Sequence, residues 1–280
     1  MREVAVLGVG LHPFGRFPEK TKQQMAREAI WAALDDAGLT FKDIECLWVG
    51  CVQDPTQTAW AILGEVGQTG IPILNVESAC ASSSSAFREA YWAVAHGIYD
   101  IAMAAGVEKM QRGLVGTGNP NSYAGAMGIN IMPSIYARRA RLHMKEYGST
   151  PEQFAQVSVK SHRCATLNPY AQYQKECSLE EVLNSRMIAD PITLLQCSPT
   201  TDGASAAILC TKDKARQFTG KPITIAGWAC GTPAYLGGEG DDLSDEMVIR
   251  ISRRAYEMAG VGPDDIDVLQ VHDAFTPGEL

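Results

Sequence analysis

The residues Ile71 to Ala95, IPILNVESACASSSSAFREAYWAVA, decide the fold. Ile71 to Val76 is a short apolar run rich in branched side chains, set between Gly70 and a polar stretch, and it reads as a buried strand. From Ala86 onward, Ala86, Phe87, Ala90, Tyr91, Val94 and Ala95 recur at three- and four-residue spacing, the pattern of one helix face. Between strand and helix lies Cys80. A free cysteine is most often buried and inert. At a strand-to-helix junction, however, backbone N–H groups and the positive end of a helix dipole favour the thiolate, which is the nucleophilic form. The four serines Ser82 to Ser85 keep the first turn small, so that a substrate or a second subunit can come close to the backbone.

Outward from this stretch the chain alternates strands and helices. Val4 to Val9 is a near-continuous apolar run of the kind buried on both faces. Thr21 and Gln24 make a capping box for a helix that keeps period through Met25, Ala29, Ile30, Ala33, Leu34 and Ala37 and stops at Gly38. Ile44 to Val52 and Asp100 to Val107 read as further strands, and the order favours an α/β layered architecture with much parallel pairing. Glu108 to Ser134, rich in glycine, asparagine and methionine, is irregular, and such segments inside compact proteins are usually functional or mobile. Two partly exposed helices follow, at Ser134 to Tyr147 and Pro151 to Leu167; Thr150, Pro151 and Gln153 supply the cap of the second. Asp202 and Gly203 read as a turn before a buried strand over Ala204 to Cys210.

The chain then starts again. Pro222 to Gly227 (PITIAG) echoes Val4 to Gly8 (VAVLG), and Arg253 to Val271 (RRAYEMAGVGPDDIDVLQV) echoes Glu28 to Val49 (EAIWAALDDAGLTFKDIECLWV). Placing Gly260 on Gly38 sets an offset of 222 residues and also pairs Ile266 with Ile44, Leu269 with Leu47 and Val271 with Val49. Two generic strand–helix units that each end a helix with glycine would share less than this, so an internal duplication is expected. The division is into 1–221, a first half that contains a loop insertion at about 108–200, and 222–280, the start of a second half. The same offset carries the counterpart of Cys80 past Leu280, so the second half is expected to be incomplete.

Composition excludes several classes. With 24 basic against 32 acidic residues, a net charge of −8 and no Lys/Arg-rich run, nucleic acid is not an expected partner. The eight cysteines are scattered without C-x-x-C or zinc-type spacing, so neither a metal site nor a disulfide framework is expected, and reduced thiols fit a cytoplasmic location. No secretory leader and no apolar run long enough to span a bilayer is present in the sequence, which predicts a soluble, unexported protein.

Asn75, Cys80, Ala81 and Ser82 resemble the segment that carries the acyl-accepting cysteine in the thiolases, with Ser83 where many members have glycine. Gly106 to Met110 (GVEKM), Asp202 to Ala204 (DGA) and His272, Asp273, Ala274 and Phe275 followed by Glu279 and Leu280 also resemble thiolase signatures, the last of the sterol-carrier and archaeal type. The resemblance covers nearly the whole chain and implies a duplicated, layered α/β thiolase fold. It implies that Cys80 accepts the acyl group and that His272 helps hold the oxyanion hole, at the tip of a strand equivalent to Ile44 to Gly50. Asp273 fits a helix cap as well, and Phe275 the core. The family's G-H-P histidine and its second cysteine in a C-x-G setting do not occur in this sequence, and both are expected in a segment beyond Leu280. The implied function is an acyl-CoA acyltransferase of lipid, fatty-acid or sterol metabolism that forms or cleaves a 3-ketoacyl-CoA. The substrate is a coenzyme A thioester and no cofactor is bound permanently. A homodimer or higher oligomer is expected, with a small acyl-CoA-binding subunit as a further partner. Two alternatives stand beside it: a thiolase-like aldolase on steroid side-chain CoA esters, and a non-catalytic thiolase-like subunit that binds acyl-CoA or a small partner protein.

Overall fold

The computed structural model describes residues 1–116, 123–232 and 246–280. In chain order the strands and helices are β1 (Val4–Gly15), α1 (Lys22–Ala37), β2 (Leu47–Gly50), α2 (Thr58–Val66), β3 (Ile73–Val76), α3 (Ser82–Ala95), β4 (Ile101–Lys109) and α4 (Tyr123–Ala126). There follow α5 (Met132–Tyr147), α6 (Pro151–Ala165), α7 (Leu179–Leu183), β5 (Met187–Ala189), β6 (Ile192–Thr193), β7 (Asp202–Thr211), α8 (Lys212–Ala215), β8 (Ile223–Thr224) and α9 (Glu246–Ala259). These make two compact units, Met1–Met110 with Thr201–Trp228, and Gln111–Thr200 with Ala229–Leu280.

The first unit is a six-stranded sheet in the order β3-β2-β4-β7-β1-β8. Only β2–β3 and β2–β4 are parallel; β4–β7, β7–β1 and β1–β8 are antiparallel, so the sheet is mixed rather than largely parallel. The period-two alternation of a strand sorts side chains between the faces. Met103, Ala105 and Val107 of β4 join α1 and α2 in one core, whereas Ala102 and Ala104 join Ala86, Ala90, Tyr91 and Val94 of α3 in the other. Helix α1 begins where the capping box predicts: Gln24 N–H donates to Thr21 Oγ1 at 3.2 Å, and the Gln24 side chain accepts from Thr21 N–H at 2.9 Å.

Several expectations change. The apolar run Ile71–Val76 forms a strand, but as the last strand of the sheet it exposes Leu74 and Asn75, because burial depends on strand order as well as on composition. Helix α2 fills Thr58–Val66, between the runs read as strands at Ile44 to Val52 and Ile71 to Val76. Asp202 is no turn residue; it opens β7 and is 3% exposed, its carboxylate accepting from Phe17 N–H at 2.9 Å, Met110 N–H at 3.1 Å and Arg16 at 3.2 Å. The segment Pro222 to Gly227, expected to open the second half, contributes β8, which pairs Ile223 with Val6 and Thr224 with Ala5 of β1.

In the second unit, α6 begins as expected at Pro151, with the Gln153 side chain accepting from Thr150 N–H at 2.9 Å. Ala137 of α5, Ile192 of β6 and Phe275 form a small core. The strand expected over Ile266 to Val271 does not form. Val268, Leu269 and Val271 are 81%, 72% and 41% exposed, and no described segment offers them a hydrogen-bonded ladder, which a strand requires. Part of the irregular segment, 117–122, and the residues 233–245 lie outside the described residues.

Candidate active site

Cys80 sits in the turn between β3 and α3, as its sequence context predicts. The turn is tied by its own side chains. Ser82 Oγ accepts from Ser78 N–H at 2.9 Å and donates to the Ala79 carbonyl at 2.7 Å, while Glu77 accepts from Ala79 N–H at 2.7 Å. Ala79 takes φ 49°, a left-handed conformation that costs a residue with a Cβ roughly 1–2 kcal/mol and that tends to be kept at functional sites. The result is an exposed Cys80, two residues ahead of a 14-residue helix whose N-terminal end carries partial positive charge.

The other thiols differ. Cys46, Cys51 and Cys210 are buried. Burial pushes Cys46, Cys197 and Cys210 up to about 11, and burial followed by the Glu108 carboxylate also raises Cys51, so that all four hold their protons at neutral pH. Cys164 and Cys230 are exposed like Cys80 but lie at no such junction.

The serines after Cys80 face two ways. Ser82 is 3% exposed, and Ser83 lies against Gly50 of β2 and Gly106 of β4. A Cβ on Gly50 would come within 2.5 Å of the Ser83 nitrogen, and one on Gly106 would overlap the Ser83 hydroxyl. The small residues therefore serve first to seat α3 on the sheet. Beside them runs a cleft of about 270 Å³ lined by Ser83, Phe87, Gly106 and Ser205, with Val9 and Leu11 of β1.

The GVEKM residues turn out to fasten loops. Glu108 accepts from Val52 N–H at 2.8 Å and Gln53 N–H at 3.1 Å, and Lys109 Nζ donates to the Phe17 carbonyl at 3.1 Å and also to that of Lys20. Sequence reasoning missed Lys22, whose ammonium donates to the carbonyls of Gln53 at 2.8 Å and Asp54 at 2.7 Å. A lysine at the start of a helix gives no sign of such distant partners.

His272 belongs to the second unit and Cys80 to the first. His272 is exposed, and its side chain has no hydrogen-bond partner among the described residues. It lies not at a strand tip but at the head of an anchored segment. Phe275 is buried and stacks on Tyr136 with ring centroids 4.6 Å apart, as a core residue should, whereas Asp273 caps no helix and accepts from Ser161 Oγ at 3.1 Å. Behind Asp273 and Thr276 is a cavity of about 220 Å³, also lined by Ser158, His162, Gln172 and Cys197. Among the described residues no group of three His, Cys, Asp or Glu side chains could hold a metal ion, and no helix is long and apolar enough to cross a membrane.

Two family models match the chain: the thiolase N-terminal domain over residues 4–213 and a thiolase C-terminal domain-like model over residues 237–280. The acetyl-CoA acetyltransferase of Methanothermobacter thermautotrophicus is 40% identical, over 99% of this chain and 75% of that protein. Sterol carrier protein 2 of Gallus gallus is 35% identical, over 100% of this chain and 55% of that protein. The benzoylsuccinyl-CoA thiolase subunit BbsB of Thauera aromatica is 34% identical, over 100% of this chain and 74% of that protein. The chain thus spans about three quarters of the length of two of these relatives and little more than half of the third. Among solved structures, an Ltp2–ChsH2(DUF35) aldolase is similar with a TM-score of 0.84 and 27% identity, over 98% of this chain and 74% of that one. The two domain models and the acetyltransferase and thiolase relatives support an enzyme of the acyltransferase class.

Proposed function

The chain belongs to the thiolase family, and from that premise we propose that it is an acyl-CoA acyltransferase working through an acyl-cysteine at Cys80. The Cys80 thiolate attacks the carbonyl carbon of an acyl-CoA, the bond from that carbon to the CoA sulfur breaks, and coenzyme A leaves to take up the proton lost by Cys80. In synthesis the α-carbon of a second acyl-CoA, giving up a proton, then bonds to the acyl carbon as its bond to the Cys80 sulfur breaks. In degradation the thiolate instead attacks the 3-keto carbon of a 3-ketoacyl-CoA and the C2–C3 bond breaks; the departing acyl-CoA carbon takes up a proton, and free CoA removes the acyl group from Cys80. Each transfer gathers negative charge on the thioester oxygen, and fixed hydrogen-bond donors lower that barrier. His272 is proposed as one such donor. The exposure of Cys80 at the strand-to-helix junction ahead of α3, where Cys46, Cys51 and Cys210 are buried, carries this reading.

Coenzyme A thioesters are the proposed substrates, with no resident cofactor, and the cleft beside Ser83 and Phe87 is apolar enough to receive their non-polar parts. The exposed edge strand β3 is suited to pairing with a second copy, which supports a homodimer. The solved neighbour is named an Ltp2–ChsH2(DUF35) aldolase, and that name supports two further proposals: a small partner subunit for this chain, and carbon–carbon cleavage of a CoA ester as the second reading of its activity. A cytoplasmic location is proposed with the family.

Thiolysis of a 3-ketoacyl-CoA tests the reading. Cys80→Ser should abolish turnover, and His272→Ala should lower it by roughly a hundredfold or more, the usual scale for losing one oxyanion donor, with little change in melting temperature. Carbon–carbon cleavage that survives Cys80→Ser would favour the aldolase. Near-normal turnover with a lowered melting temperature in His272→Ala would make that residue structural.

A further inference from the structure

His272 has no anchor of its own among the described residues, so it is placed only as well as the chain that carries it. That chain, residues 273–279, is held at both ends by consecutive residues of α6. Ser161 Oγ donates to Asp273 Oδ2 at 3.1 Å, and Lys160 forms an ion pair with Glu279. Between them the Ser198 N–H donates to the Ala274 carbonyl at 2.9 Å, and Phe275 lies on Tyr136. The loop also folds back on itself: a Cβ on Gly278 would stand 3.3 Å from the His272 carbonyl oxygen. Asp273 borders the 220 Å³ cavity, so the wall behind its carboxylate is open and the hydrogen bond from Ser161 is what orients it.

We propose that Ser161 and Asp273, backed by the Lys160–Glu279 ion pair, are positioning residues that hold His272 at the angle its donor role needs. The inference rests on the oxyanion reading of His272 given above. An exposed ion pair contributes little stability, whereas a displacement of a catalytic group by about an ångström can cost up to about a hundredfold in rate. The clasp should therefore be far more visible in kinetics than in melting.

The test follows acetyl transfer from acetyl-CoA to Cys80 in the 280-residue chain by rapid-quench mass spectrometry, alongside hydrogen exchange of the amides at 272–275. Ser161→Ala and Asp273→Ala should each slow the maximal transfer rate by roughly 10- to 100-fold, with apparent affinity for acetyl-CoA within about twofold. Asp273→Asn keeps an acceptor and Ser161→Thr keeps a donor, so both should stay near wild type, which also guards against variants that fail to fold. Exchange at 272–275 should speed up in Ser161→Ala, and in a His272→Ala background neither Ala substitution should slow transfer further. Equal slowing in that background, or loss of affinity alone, would overturn the clasp. An unchanged transfer rate in His272→Ala itself would remove the oxyanion reading, and unchanged exchange in Ser161→Ala would remove the positioning.

Discussion

Helix α1 and helix α9, 222 residues apart, end in the same way, and the chains that leave them then part. Gly38 and Gly260 both turn left-handed, at φ 65° and 70°, and Leu39 N–H reaches back to the Leu34 carbonyl at 2.9 Å as Val261 N–H reaches Tyr256 at 3.3 Å. Asp43 accepts from Thr40 N–H, and Asp265 from Gly262 N–H, each at 2.8 Å; a single turn of tight helix follows in both, over Phe41–Asp43 and Pro263–Asp265. After Ile44 and Ile266 the likeness stops. Leu47–Gly50 is a buried strand between β3 and β4, whereas Val268, Leu269 and Val271 lie in irregular, exposed chain. A helix stop is written in a handful of neighbouring residues, but a strand exists only where partner strands supply its hydrogen bonds.

The widest gap is expected at the matched leucines. Leu47 is fully buried, so Leu47→Ala should cost about 2–5 kcal/mol, while Leu269→Ala, at a position 72% exposed, should stay within about 0.5 kcal/mol. Urea denaturation of the two variants measures both. A large loss at Leu269 would mean that 268–271 pairs after all.

Buried thiols extend the contrast to pH. Because burial raises Cys46 and Cys210 in the first unit and Cys197 in the second to about 11, against an ordinary 9.0, the folded state holds protons that the unfolded chain releases. Their contribution is complete below pH 9 and is lost as pH rises through 11, on the order of 2–3 kcal/mol for each thiol. Denaturation midpoints between pH 8 and pH 11, on the order of that loss, should fall less steeply in Cys46→Ala and Cys210→Ala than in the wild type. A profile unchanged by both substitutions would contradict it.

The smallest effects should fall on the two glycines, and they should match. Gly38→Ala and Gly260→Ala each force a Cβ into left-handed backbone, costing about 1 kcal/mol. A thermal-melt series with strongly unequal losses would show that the likeness of the two helix stops is only geometric.

What the residues made legible follows the same division. The caps of α1 and α6, the strands around Val4 and Ile101, and the Cys80 junction rest on local pattern and were readable. Helix α2 was not, since it is nine residues long and its first flanking residue is Gln57 in left-handed backbone, with no serine, threonine, aspartate or asparagine cap to mark it. Asp202 looked like a turn because Asp-Gly usually is one; its partners Phe17 and Met110 lie 185 and 92 residues away. Cys80 and His272, the proposed site residues, stand out by residue type and context. The left-handed Ala79 that presents the thiol, and Ser161 under Asp273, do not, because neither residue type carries a signal of its own.

The central claim is that Cys80 takes the acyl group. Brief incubation with acetyl-CoA, acid quench and peptide mapping should find one added acetyl group on the peptide that contains Cys80, none on those with Cys46, Cys164, Cys197 or Cys210, and none anywhere in Cys80→Ser. An acetyl group that persists in Cys80→Ser, or that forms first on another cysteine, would contradict the account.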